Sequence, residues 1–132
     1  RYKEQHQSYP GRVHGGMITA MLDEMGLRSL WAKELSEETF GVTISLDTKY
    51  RKPVPYETEL IGRGVVVKNT SHFIITDSYI MDKDGEILAN GRIKYIKMDT
   101  QKIQEGVEVH EEMPYLVEDG RTEIEGPFFD NL

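Results

Sequence analysis

The chain has 132 residues, a net charge of −7, 38% hydrophobic residues and no cysteine, which fits one domain with its own core. The acidic balance argues against nucleic acid as the main partner. The lack of cysteine excludes a disulfide framework and a thiol nucleophile, and fits a reducing, cytoplasmic setting. No apolar run approaches the roughly 20 residues of a membrane-spanning helix, and no signal peptide pattern is read.

Residues 1–13 are polar, with Pro10-Gly11 as a loop signal, and read as a solvated N-terminal loop in which His6, Gln7 and Ser8 can fold over the helix entry. His14-Gly15-Gly16 leads into a helix expected over 16–34. A Gly-rich helix entry offers free backbone N–H groups at the positive end of the helix dipole, where an anion or a developing oxyanion can be held. His14 reads first as a residue that hydrogen-bonds and positions backbone, with proton transfer as its lesser role.

Within the helix, a turn of about 100° per residue collects Ile18, Met21, Leu22, Met25 and Ala32 on one face. The methionines among them read as core. Glu24 and Arg28 stand at i, i+4 and are expected to pair. Asp23 falls on another face, beside Thr19, Gly26, Leu27 and Leu30, with no cation on the helix to pair it. A mid-helix Asp is a poor helix former and asks for a reason. A carboxylate beside apolar groups is a candidate base or nucleophile. Gly15 and Asp23 are about 12 Å apart along the axis at 1.5 Å per residue, too far to serve one carbonyl from one helix. If both act, two antiparallel copies of the helix must share each site, which predicts a symmetric homodimer or a dimer of dimers.

After a link at 35–40, four strands are expected at 41–52, 57–68, 72–81 and 86–98. In the first, Val42, Ile44 and Leu46 alternate with Thr43, Ser45 and Asp47. Pro53-Val54-Pro55 breaks it. Gly62 and Gly64 permit a bulge or bend in the second, and Asp82-Lys83-Asp84-Gly85 is a hairpin turn. The short links predict antiparallel neighbours in a meander. The architecture is α+β, one long helix on an antiparallel sheet. Residues 100–132 are acidic and broken by Gly and Pro. They read as a loosely attached tail with a short element around Tyr115, and with Phe128-Phe129 packing locally, disordered or docking on a partner.

His14-Gly15-Gly16, Asp23 nine residues beyond the His, and a strand opening Gly41-Val42-Thr43 together resemble the hot-dog fold acyl-CoA thioesterases, most closely their phenylacetate-pathway thioesterase-like branch. The resemblance spans residues 8–98. It implies a hot-dog domain over 1–99, a central helix wrapped by the sheet, with the tail at 100–132 outside it. A short strand ahead of the loop belongs to such domains; it either precedes Arg1 or is lacking. The resemblance implies that the Gly15 N–H binds the thioester carbonyl, that Asp23 activates water or attacks the thioester, and that Thr43 orients the water. Ser8 stands where several relatives carry an Asn that assists the carbonyl. The substrate implied is an acyl-CoA, with Gly16 at the carbonyl. The acyl chain would run along Met17, Met21, Leu27 and Leu30, with Arg51, Lys52, Lys68 and Arg92 as candidate cations for the CoA phosphates. The site implied lies at a dimer interface and needs neither metal nor cofactor. A hot-dog hydratase would need a His in that family's own motif, and His72 is not in one. The other class is a non-catalytic acyl-CoA sensor or scaffold, which would keep the pocket and has no use for Asp23.

Overall fold

Helix α1 (Gly15–Lys33) lies across a sheet of four antiparallel strands, β1 (Thr39–Tyr50), β2 (Ile61–Asn69), β3 (Phe73–Met81) and β4 (Ile87–Asp99). The structure, a computed structural model, describes residues 1–33 and 39–99, with the side chains of 31–33, 39, 40 and 99 excepted. The expectations for Ala32, for the tail at 100–132 and for residues 35–38 of the link lie outside the described residues; the last two residues of that expected link, Thr39 and Phe40, open β1. No described helix is long and apolar enough to cross a membrane.

The sheet order is β1-β4-β3-β2, so the expected simple meander holds only for β2, β3 and β4. β1 pairs with β4, and β1 and β2 form opposite edges. The connection at 51–60 therefore crosses the end of the sheet. Ten extended residues reach about 33 Å, while three strand spacings need only about 14 Å. The crossing is tied down in its middle, where buried Val54 joins the core and its carbonyl accepts from the Val13 N–H at 2.9 Å.

The residues of α1 that go inward are Ile18, Leu22, Gly26 and Leu30, each buried. Of the two methionines expected in the core, Met21 is 40% exposed, while Met25 is half-buried against the glycines of β2. A glycine in the centre of the true stripe hid it. Above Gly26 there is no room for a side chain: a Cβ there would sit 2.4 Å from the Tyr95 hydroxyl and 2.5 Å from that of Thr76. The glycines of β2 do the same from the sheet side. A Cβ on Gly64 would lie 2.1 Å from the Met25 carbonyl oxygen, and one on Gly62 would lie 2.9 Å from the Met25 sulfur. The bulge in β2 falls instead between Val66 and Lys68.

A second bulge decides the site. In β1, Thr43 pairs with Tyr95 and Ser45 with Lys94, leaving Ile44 as an extra residue. In an unbroken strand Thr43 and Leu46 would face opposite ways. With the extra residue absorbed, Thr43 joins Leu46, Thr48 and Tyr50 on the helix side. Val42 and Ile44, expected on one side with Leu46, are 41% and 53% exposed.

The N-terminal segment is not a solvated loop. Tyr2 and Val13 are buried with Ile18, Leu22, Val54, Ile80, Leu88 and Ala89. Backbone bonds from Glu57 to Tyr2 and from His14 to His6, at 2.8 Å each, fasten it to the crossing and to the helix entry. Burial pushes the Tyr2 phenol up to about 12.

Candidate active site

The first turn of α1 has four N–H groups to satisfy. Gly16 donates to His14 Nδ1 at 3.0 Å, and Met17 and Ile18 both donate to the His14 carbonyl, at 3.0 and 3.2 Å. His14 is thus the helix cap, with its ring nitrogen accepting as a Ser or Asp oxygen does elsewhere. The Gly15 N–H has no acceptor among the described residues. It is the one donor of that turn open to a ligand, in a dipole field that favours an oxygen carrying negative charge.

Below Gly15 stands Tyr50, which sequence reading passed over. Its hydroxyl donates to the Gly15 carbonyl at 3.0 Å and shares a 2.6 Å hydrogen bond with Thr19 Oγ1. Ser8, Arg12, His14, Gly15, Gly16, Tyr50, Arg51 and Lys52 line one open cleft of about 530 Å³ at this end of the helix.

Two turns along α1, half-buried Asp23 is held from β1 and β4. Thr43 Oγ1 lies 2.9 Å from one carboxylate oxygen and 3.1 Å from the other, so a single hydroxyl proton is shared between them. The Tyr95 hydroxyl donates to the Asp23 backbone carbonyl at 2.7 Å. Burial pushes the Tyr95 phenol well above the ordinary tyrosine range, so it remains a neutral donor. Thr43 and Tyr95 are cross-strand partners, and one rung of the sheet therefore grips both the side chain and the backbone of Asp23. Neighbouring Glu24 is occupied otherwise: Arg28 Nε reaches it at 2.7 Å.

The structure brings Ser8, His14, Gly15, Gly16, Arg51 and Lys52 together at one end of the helix, and Asp23 with Thr43 elsewhere along it. Lys68 and Arg92 join neither group. Arg92 makes a two-pronged ion pair with Asp77, both bonds 2.7 Å, on the sheet face away from the helix, and Lys68 stacks over Phe73. Of the cations at the cleft, Arg51 donates to Asn90 and Lys52 is paired with Glu86. Arg12 has no carboxylate partner among the described residues. Sequence reading missed it, although its place just before His14 was the available signal. Of the expected acyl-chain lining, Leu30 is 2% exposed and belongs to the core with Ile74, Ile93 and Tyr95, whereas Met17 and Met21 remain on the surface.

The family model of the thioesterase superfamily matches residues 10–89, from the loop ahead of His14 to the start of β4. The chain belongs to the thioesterase superfamily. No curated protein matches it. Among solved structures, this superfamily member is similar to a Bacillus halodurans protein crystallised with CoA, at 22% identity and a TM-score of 0.65. That match covers 73% of this chain and 66% of the other. It is also similar to thioesterase superfamily member 2 of Mus musculus, at 21% identity and a TM-score of 0.63, with 73% and 75% of the two chains covered. A Haemophilus influenzae thioesterase matches at 16% identity with a TM-score of 0.64, covering 74% and 66%. The chain thus spans a little under two thirds of the length of the Bacillus halodurans protein. These likenesses establish the hot-dog fold, a long helix on an antiparallel sheet.

Proposed function

We propose that the protein hydrolyses acyl-CoA thioesters, with each active site assembled from two copies of the chain. The observation that carries this reading is the split between an open donor at Gly15 and an oriented carboxylate at Asp23 on the same helix. Eight residues of helix separate them by about 12 Å, so a second, antiparallel helix must bring one to the other. Exposed Met17 and Met21 lie between these two points and give that second helix, and an acyl chain, an apolar surface to cover.

In this mechanism the thioester carbonyl accepts from the Gly15 N–H of one subunit. Asp23 of the other takes a proton from a water that the Thr43 hydroxyl helps to align. The water oxygen adds to the carbonyl carbon, and the tetrahedral oxyanion forms against the helix N-terminus. Its collapse breaks the C–S bond. The thiolate of CoA leaves and recovers the proton held by Asp23, giving free acid and thiol. The same carboxylate can instead attack directly and pass through an anhydride. Label found in Asp23 after one turnover in ¹⁸O-labelled water marks the anhydride route, since general-base hydrolysis leaves the Asp23 oxygens untouched and water attack on the anhydride at the Asp23 carbon does not. His14 serves as cap and leaves Gly15 as the open N–H. Arg12, Arg51 and Lys52 face the CoA phosphates. The acyl group is open, and the phenylacetate-pathway resemblance makes aromatic acyl-CoAs the first to test.

Subunit complementation tests the shared site. Gly15→Pro removes the N–H at a helix position whose backbone suits proline, with its Cβ 3.3 Å from the Tyr50 ring, and Asp23→Asn removes the base. Each variant alone should be inactive. Mixed after dissociation and reassociation, they should recover about a quarter of wild-type activity, because half the dimers are hybrids with one intact site each. No recovery from correctly mixed dimers would exclude a composite site.

A further inference from the structure

A pair of adjacent glycines is a poor way to aim a catalytic N–H. Gly15 and Gly16 lose more backbone freedom on ordering than any other residues would, and the first turn of a helix is held by fewer hydrogen bonds than its middle. The His14 carbonyl accepts from Met17 and Ile18 within the turn, and a hydrogen bond from outside the helix would tie the segment to the sheet as well. We propose that Tyr50 supplies it as a positioning residue: by holding the Gly15 carbonyl it pins Gly15 itself, whose own N–H, in the preceding His14–Gly15 peptide, is the open donor. The inference rests on the thioesterase reading of Gly15 and adds to it a residue that touches no substrate atom.

The peptide between Gly15 and Gly16 is gripped at both ends. Its N–H goes to His14 Nδ1 at 3.0 Å, and its carbonyl accepts from the Tyr50 hydroxyl at 3.0 Å. His14 ties the turn to the N-terminal segment, through its N–H to the His6 carbonyl, but among the described residues it makes no bond to the sheet strand beneath the helix. Tyr50 ties the turn to the sheet, because it ends a strand paired along its length with β4, in register with Ala89. Its hydroxyl is itself held by Thr19 at 2.6 Å, one turn further into the helix, and Thr19 is 3.4 Å from Thr48 of the same strand. The ring packs against the glycine: a Cβ on Gly15 would lie 3.3 Å from Tyr50 Cζ and Oη. Glycine at this position gives the phenol the close approach it needs to reach the carbonyl.

The bulge at Ile44 links this clamp to the base. Thr43 and Tyr50 are seven residues apart, and in an unbroken strand they would face opposite ways. The extra residue puts both on the helix side, so β1 orients Asp23 with Thr43 and Gly15 with Tyr50. Tyr50 remains 55% exposed, which makes it a poor candidate for a purely packing role.

The test is Tyr50→Phe, which keeps the ring and removes only the oxygen. We expect kcat to fall about tenfold with KM unchanged, as for a group that orients an oxyanion donor without binding substrate. We expect Tm to stay within about 5 °C of wild type, since the two hydrogen bonds lost, to Gly15 and Thr19, are exposed ones. Amide hydrogen exchange at Gly16, read by NMR on the full chain, should speed up. A packing role would instead lower Tm and leave kcat alone. Unchanged kcat in Tyr50→Phe, or unchanged exchange at Gly16, would overturn the proposal. If wild type hydrolyses no acyl-CoA, the thioesterase reading fails by itself, and the exchange measurement still decides whether Tyr50 sets this peptide.

Discussion

Gly26→Ala should destabilise the protein, against the usual sign for such a change. In an exposed helix, replacing Gly by Ala gains about 1 kcal/mol. Here the new methyl would arrive 2.4 Å from the Tyr95 hydroxyl, 2.5 Å from Thr76 Oγ1 and 3.2 Å from Ser78 Oγ. None of these can swing into solvent: Thr76 and Ser78 are fully buried and Tyr95 is 1% exposed. Relieving the overlap means lifting the helix or turning the phenol away, at about 1–3 kcal/mol for overpacking. Turning it away also breaks the 2.7 Å bond to the Asp23 carbonyl, worth about 1 kcal/mol. The propensity gain offsets only part of this, leaving a net loss of about 2 kcal/mol and a Tm lower by about 10 °C. Urea and thermal unfolding followed by circular dichroism measure it. Tyr95→Phe in the Gly26→Ala background removes the nearest oxygen and should restore part of the loss. A neutral or raised Tm in Gly26→Ala would refute the claim that this glycine sets the distance between helix and sheet.

Other substitutions separate catalysis from architecture. Thr43→Ala should lower kcat about tenfold or more with Tm nearly unchanged, because the lost hydroxyl serves an exposed contact; unchanged steady-state kinetics would make Thr43 an ordinary strand residue. Glu24→Gln loses a half-exposed pair with Arg28 worth about 0.3–0.5 kcal/mol, and turnover should stay near wild type; a drop matching that of Asp23 variants would mean the base is the other carboxylate. Tyr2 gives a pH signature. Its folded value of about 12 lies above the ordinary 10.0, so its contribution is complete below pH 10 and is lost as pH rises towards 12. Over that window wild type should lose about 2 kcal/mol that Tyr2→Phe does not, read from urea midpoints against pH; parallel curves would contradict the burial of that phenol.

The sequence made the helix legible because glycines mark its start and its charges sort cleanly onto faces. Glu24 takes Arg28, which leaves Asp23 with an explanation still owing. The strands were legible from alternation and turn residues to within a few positions. Strand order was not, because nothing local to β1 says that its partner is β4 rather than the next strand. The inward stripe of the helix was misread at its centre, since Gly26 has no apolar side chain to count; its role is set by Tyr95 and Thr76, which lie 50 or more residues away. The bulge at Ile44 was equally hidden. An extra residue leaves no mark on an alternating pattern, yet it decides that Thr43, and not Val42, faces Asp23. Arg12 and Tyr50 were passed over because each becomes notable only beside the folded helix entry.

Steady-state hydrolysis by wild type and Asp23→Asn, paired with calorimetric binding of the same acyl-CoAs to the variant, tests the central claim most directly. Asn keeps the shape of Asp and can still accept from Thr43, but it can neither take a proton from water nor attack a thioester. The account predicts that wild type hydrolyses at least one aromatic or medium-chain acyl-CoA. It predicts that Asp23→Asn loses about 10²–10⁴-fold in kcat while its affinity stays close to that of wild type. Wild-type turnover in Asp23→Asn would contradict it, and so would a wild type that binds acyl-CoA without hydrolysing any.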